Sequence, residues 1–454
     1  MIDLESATRE ELIHLNFQLI ARLQTLEEHV KQLEAELTSL RGGGGQSSPP
    51  SFVKANRPAR NKKKKRKKRT HGFARKLDFA TSRLDHCLEQ CPDCRINLTG
   101  RRVINSRRVI ELPAVEVQVV EHIVVERHCP KCRKRFRPDF DLSSLAVGKQ
   151  RFGVSIQAEV ALLREGCRLP FRVIKDYLLH RFNLRVSVGQ LVALVEGVAR
   201  RGKAVVEGFK QQIRGSPVVN CDETSWREDG HNGYVWSFST DRVSYLLYRR
   251  SRSAAVVKEV LGEEFGGVVV SDFYAAYNAH LGLHQRCWVH LLRDIHELRD
   301  KHSTDKGLKQ WAGKVKAIYE RAKAYKGPNK RLGAVEQQQE RVKRQREYEK
   351  ELMKVCRPHI KKKRTQSGLC ERIERFLPEM FVFVGDERVP PDNNAAERSI
   401  RQLVVSRKIS GGSRSEKGSE TKSILASLFG TWRLQGLDFY QSCLNLLTAN
   451  NPTL

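Results

Sequence analysis

Leucine recurs every seventh residue at the start of the chain, at Leu12, Leu19, Leu26, Leu33 and Leu40. Asn16, Leu23, Val30 and Leu37 fill the seam between them, so the heptads have one polar seam position. Thr8 and Glu11 supply a capping box at the start. The pattern predicts a coiled-coil helix over residues 1–41 that joins copies of the chain. A lone amphipathic helix lying on its own protein is the lesser reading, because the glycines Gly42 to Gly45 detach it from any core. Residues 42–86 then read as a flexible basic linker. Alternating β-branched positions over 103–126 predict strands inside a module spanning 87–148. Residues 149–212 are helical: one helix over 155–165, a second opened by Pro170, a third capped by Ser187 and Gln190. With Arg172, Lys175, Arg181 and Arg185 on short helices, a helix-turn-helix and plain helical packing explain that module equally well.

From residue 216 the pattern changes. Strands are predicted at 218–221, 234–239 and 245–248, a helix at 252–261 and a buried strand at 267–271. Three strands on short turns, a crossover helix and a further strand describe a mixed sheet of ribonuclease-H type. The first part of this core spans 213–288, a basic helical insertion 289–380, and the remainder with the C-terminal helices 381–454. The fold class is therefore multidomain α+β.

Charge narrows the partner. Lys and Arg number 83 against 52 Asp and Glu, a formal charge of +31 on 454 residues. Such an excess favours a polyanion, although a ribosome or a membrane surface would also satisfy it. Lys62, Lys63, Lys64, Lys65 and Arg66 begin a run of eight basic residues. That run is expected to touch phosphates without reading sequence. No apolar stretch approaches the roughly 20 residues that span a bilayer, and the amino terminus has no secretory core. The expectation is a cytoplasmic, nucleoid-associated protein with no membrane partner.

Eleven cysteines in such a compartment argue for metal ligands and buried thiols. Cys91-Pro-Asp-Cys94 and Cys129-Pro-Lys-Cys132 each offer two thiolates, and together they predict a zinc-ribbon-like module with a structural Zn²⁺. Cys87 and His128 are nearby substitutes of lower rank. Asp222 ends one apolar run, Asp272 ends another, and Glu397 opens a helical segment. Two such aspartates and a helical glutamate suit Mg²⁺ or Mn²⁺, held as a pair roughly 3.5–4 Å apart for phosphodiester chemistry. Taken singly, each acid has an ordinary explanation, a cap after a strand or an ion pair of Glu397 with Arg401. Glu223, next along an extended strand, would point away from Asp222.

Asp222-Glu-Thr-Ser-Trp-Arg, Asp272-Phe-Tyr-Ala-Ala-Tyr-Asn and Asn393-Asn-Ala-Ala-Glu397-Arg-Ser-Ile-Arg401 resemble the transposases of the insertion-sequence-66 family, and Arg407-Lys408 with Gly411-Gly412-Ser413 extends the match. The resemblance covers nearly the whole chain. It implies a DNA transposase that binds terminal inverted repeats and performs metal-dependent strand cleavage and transfer, with Asp222, Asp272 and Glu397 as the catalytic triad. It also implies that Arg398, Arg401, Arg407 and Lys408 meet DNA. Partners would be the duplex DNA of element ends and target, a second copy through the coiled coil, and helper proteins of the same element. Cys287-Trp-Val-His290 is similar to a Cys-x-x-His signature of acidic-triad transposases and is a candidate for shaping the site. The chain departs from the family in its long basic run and in the segment 70–90, where only His71-Gly72 remains of the expected spacing. A non-catalytic, zinc-containing DNA-binding regulator derived from a transposase is the alternative, and a nucleoid or RNA-binding protein a third reading resting on charge alone.

Overall fold

The computed structural model describes residues 22–31 and 79–449, apart from 111, 113–114, 140, 142–144 and 146–150. The chain divides into two compact units, Met1–Ile110 and Glu111–Leu454. In the first, residues 22–31 are helical (α1), and Leu23, Leu26 and Val30 stand exposed along it. The other heptad positions, the Thr8–Glu11 box, the glycines and the basic run with Lys62, Lys63, Lys64, Lys65 and Arg66 lie outside the described residues. The strands expected over 103–126 do not form among the described residues there. Ile104, Val119 and Val120 stay exposed. Strand propensity needs a partner ladder and a surface to bury, and here it has neither.

The second unit opens with a small antiparallel pair, β1 (Arg127–His128) and β2 (Arg135–Phe136). Helix α2 (Val154–Ala161) runs into a wide turn at Leu162–Gly166. Helix α3 (Phe171–Phe182) starts after Pro170 and stops at Asn183, whose left-handed φ of 50° ends it. Helix α4 (Val188–Arg214) begins with the Ser187–Gln190 box, both arms formed. Its stripe of Leu191, Leu194, Val198, Val205, Phe209 and Ile213 is buried in the same apolar core as the sheet that follows.

That sheet has five strands: β3 (Val218–Glu228), β4 (His231–Ser239), β5 (Ser244–Arg249), β6 (Val268–Ser271) and β7 (His284–Arg286), in the order β5-β4-β3-β6-β7. β3, β4 and β5 are antiparallel neighbours, whereas β6 and β7 run parallel to β3. Asp229 and Gly230, both at positive φ, make the two-residue turn between β3 and β4. Helix α5 (Ala254–Leu261) crosses from β5 to β6.

The insertion is helical: α6 (Trp288–Lys301), α7 (Lys306–Lys323), α8 (Ala334–Cys356), α9 (Ser367–Arg375) and the short α10 (Val382–Gly385). Trp288, Leu291, Trp311, Leu352, Leu369 and Phe381 close a second core of its own. Then come α11 (Asn394–Ser410), α12 (Glu416–Leu434) and α13 (Phe439–Thr448). Helix α12 covers the free edge of β5 with a row of hydroxyls. The N–H groups of Tyr248, Leu246 and Ser244 donate to Ser423, Ser427 and Thr431 at 3.0, 2.8 and 3.0 Å. An edge that would otherwise present unpaired donors is thereby satisfied. Among the described residues no helix is long and apolar enough to cross a membrane.

Candidate active site

Strand parity puts the acids on one face. Val219 and Cys221 point into the core shared with α4, whereas Trp226 packs with Ile400 and Leu403 of α11. Asp222 shares the parity of Trp226, so it faces α11, and Glu223 faces the opposite way. The strand does not stop before Asp222 as expected. β3 runs on to Glu228 because β4 pairs with it throughout, placing Asp222 opposite Ser237. Its parallel ladder with β6 does end nearby, at Asn220 and Val270. Continuing that register sets Asp222, midway along β3, level with Asp272, just past the carboxyl end of the parallel β6.

Each acid is held by its own supports. Asp222 Oδ1 accepts the Glu223 N–H at 2.9 Å. Asp272 Oδ1 accepts the Tyr274 N–H at 2.9 Å, and buried Arg286 donates to the Asp272 carbonyl at 2.9 Å. Glu397 lies in the first turn of α11. The start of that helix is pinned by Asn393, whose Nδ2 donates to Cys221 O at 2.6 Å and whose N–H donates to Cys287 Sγ at 3.2 Å. Asn393 therefore joins β3, α6 and α11.

The ordinary partner for Glu397, Arg401 one turn on, is not the one used. Its Oε1 faces His290 Nε2 at 3.7 Å and Arg293 at 3.8 Å, both on α6. That oxygen is buried without a hydrogen-bond partner. Cys287 caps α6 from a buried position and His290 follows three residues later, so the Cys-x-x-His segment braces the glutamate's helix and faces its carboxylate.

The electrostatics follow from this crowding. The Asp222 carboxyl is pushed up from 3.8 to about 7, by burial first, then by Glu223 and Asp272, with Glu397 adding to it. Glu223 does not join the group. On the far face it accepts from Tyr277 at 2.5 Å and from Arg252 at 2.5 Å. The Asp222-Glu and Asp272-Phe-Tyr-Ala-Ala-Tyr segments are thus two halves of one brace behind the acids.

Of the cationic candidates, Arg398, Arg401 and Lys408 are exposed on α11. Arg407 is engaged with β3 through Thr224, at 3.2 Å, and Ser225. Gly411 ends α11 at φ 76°, and Ser413 laces the chain onto β3 by donating to Arg227 O at 2.8 Å and accepting from Trp226 Nε1 at 3.0 Å. Sequence reasoning missed Asn393, Arg286, Tyr277 and Arg293 as supports. Asn393 and Tyr277 lay inside segments already singled out, whereas nothing local marks Arg286 or Arg293.

The cysteine turns share one geometry, each within its own unit. Cys91 N–H donates to Ile96 O and Arg95 N–H to Cys91 O, both at 2.9 Å, while Cys129 N–H donates to Lys134 O and Arg133 N–H to Cys129 O, both at 2.8 Å. Arg95 and Arg133 are both left-handed, at φ 60° and 55°. Backbone N–H groups of the turn lower the thiol pKa of Cys91, chiefly from Cys94, and of Cys129, chiefly from Cys132. Among the described residues, no group of three or more His, Cys, Asp or Glu side chains stands close enough together to hold a metal ion.

A five-stranded mixed sheet with two level aspartates and a helical glutamate defines an α/β protein with an acidic site. The chain belongs to the transposase IS66 family, which it matches over residues 149–421. Over 79 residues it is also 35% identical to the uncharacterized protein y4jD of Sinorhizobium fredii (strain NBRC 101917 / NGR234). That likeness covers 17% of this chain and 16% of that protein, so the chain spans about a sixth of this curated relative's length.

Proposed function

We propose that the protein is a DNA transposase that binds the terminal inverted repeats of a mobile element and cuts and joins strands there, on a ribonuclease-H-like core. The support that weighs most is Asp222, a partly buried carboxylate whose charged neighbours are further carboxylates. An all-oxygen donor set of two aspartates and a glutamate suits Mg²⁺ or Mn²⁺, and the Oε1 of Glu397, which accepts no hydrogen bond, fits that use. Bound there, such ions would activate the attacking oxygen and stabilise the leaving one.

The chain's own residues position the parts. Asn393 sets the start of α11, His290 and Arg293 orient Glu397, and Arg286 fixes the Asp272 carbonyl. Arg398, Arg401 and Lys408 would hold phosphates beside the acids, while Arg407 ties α11 to β3. In this reading the Cys91–Cys94 and Cys129–Cys132 turns, whose backbone N–H groups lower the thiol pKa of Cys91 and Cys129, each offer two thiolates to structural Zn²⁺. The apolar stripe of α1 pairs copies of the chain so that two element ends meet in one complex.

The test is strand cleavage on duplex DNA carrying the element's own ends. Wild-type chain and Asp222→Asn are compared with Mn²⁺ and with chelator. Metal-dependent nicking at the ends, lost in the variant, is the expected result. Tight end-specific binding without nicking would favour the non-catalytic regulator.

A further inference from the structure

The insertion holds a cation cluster that the acidic site does not use. Lys361, Lys362, Lys363 and Arg364 follow one another between α8 and α9, all exposed. Their turn is firmly built. Lys361 is left-handed at φ 54°, and its N–H donates to Glu371 Oε1 at 3.2 Å. Ser367 Oγ donates to His359 O at 2.9 Å and to Glu371 at 3.2 Å. Thr365 Oγ1 donates to Asp305 Oδ2 at 3.0 Å, while the other oxygen of Asp305 caps α7. Buried Gln366 donates to His359 Nδ1 at 3.1 Å.

Both carboxylates that touch this turn, Glu371 and Asp305, therefore bind its backbone and hydroxyls rather than its cations. Lys314 of α7 adds a fifth charge. Burial, then Arg364, Lys362 and Lys314, hold the His359 imidazole below its usual range. None of the five cations forms an ion pair among the described residues, and the Arg364 guanidinium meets only the neutral ring nitrogen of His359, at 3.4 Å. Like charges fixed this way repel one another, and a polyanion laid across them relieves the repulsion.

The turn is also linked to the acids through packed helices. Helices α6 to α9 share one core, and Arg372 of α9 donates to Asp294 of α6 at 2.5 Å, next to Arg293. Helix α6 leads from His290 to His302, whose carbonyl accepts the Asp305 N–H at 3.1 Å. That is about 18 Å of helix. At 3.4 Å per base pair it corresponds to roughly five or six base pairs.

We propose that Lys361, Lys362, Lys363 and Arg364, with Lys314, clamp the sugar–phosphate backbone of duplex DNA about half a helical turn from the bond being cut. The distance rests on reading Asp222, Asp272 and Glu397 as the cutting site; the clamp itself does not. The test uses the full chain on an element-end duplex in chelator, so that binding is read apart from cutting. Lys361→Gln/Lys362→Gln/Lys363→Gln should lower the slope of log affinity against log salt by up to about 2.7, near 0.9 per phosphate contact. Lys314→Gln, on a separate helix, should lower it by up to about 0.9. Phosphate-ethylation interference should fade in the triple variant about six base pairs from the cut.

An unchanged slope and footprint in variants that melt like wild type would overturn the clamp. So would a loss confined to structured RNA, which would name a different partner. If Asp222→Asn abolishes cutting while the slope stays put, only the clamp fails. If the slope falls and wild type never cuts, the clamp stands and the cutting site fails.

Discussion

Asp222→Asn should make the chain more stable while destroying its proposed chemistry. The folded carboxyl is pushed up from 3.8 to about 7, chiefly by burial and then by Glu223 and Asp272. Between those values the folded chain keeps a proton that the unfolded chain has released. Stability therefore falls as pH rises through that window, and above about 7 the whole cost is present. A rise from 3.8 to about 7 corresponds to about 4 kcal/mol, an upper figure for so crowded a group. Asparagine keeps the oxygen that accepts the Glu223 N–H and discards the charge. Urea melts in chelator, followed by tryptophan fluorescence, should show the variant's advantage growing by up to about 3 kcal/mol between pH 5 and pH 8. Added Mg²⁺ should stabilise wild type and leave the variant unmoved. A constant gap across that pH range, or a variant weaker than wild type at pH 8, would refute the argument.

Other expectations follow from particular contacts. Cys94→Ser should cost the chain its zinc by atomic absorption, and an unchanged zinc content would remove that site. Leu26→Pro should break α1, so sedimentation should report a smaller assembly, and an unaltered one would show that the exposed stripe does not join copies. Gly412→Ala puts a Cβ 2.1 Å from the Arg227 carbonyl oxygen at φ 146°, and should cost roughly 1–3 kcal/mol in a thermal melt. Lys422→Met strands the buried Glu165 that its ammonium meets at 2.7 and 2.9 Å. The loss should be about 3–5 kcal/mol, and Glu165→Leu added to it should restore most of that in the same melt.

What was legible in the sequence was local or periodic. The Ser187–Gln190 box is a four-residue signal, and the structure completes both of its bonds. That Asp222 and Asp272 each close an apolar run was legible as well, whereas their common level comes from the register of β3 and β6. What failed depended on partners distant in the chain. β7 is three polar residues, His284, Gln285 and Arg286, which a propensity reading discards. It survives burial because Arg286 pairs with Glu379 at 2.5 Å and Gln285 Nε2 donates to Met380 O at 3.1 Å. The branched residues of 103–126 erred the other way, with propensity and no ladder. For Glu397 the pair with Arg401 on its own helix was the ordinary alternative, and its contacts come instead from α6, more than a hundred residues earlier.

The hydroxyl row of α12 also limits how long β5 can be. Ser423, Ser427 and Thr431 are spaced four residues apart, about 6.0 Å along a helix, while Tyr248, Leu246 and Ser244 are two apart, about 6.8 Å along a strand. The two rulers slip by about 0.8 Å per step. Over three contacts the mismatch stays within what side-chain rotation absorbs, and all three bonds fall between 2.8 and 3.0 Å. A fourth and fifth contact would carry the slip to about 3 Å, the length of a hydrogen bond. A helix of this kind can therefore stand in for a sixth strand only along a short edge, and β5 ends at six residues.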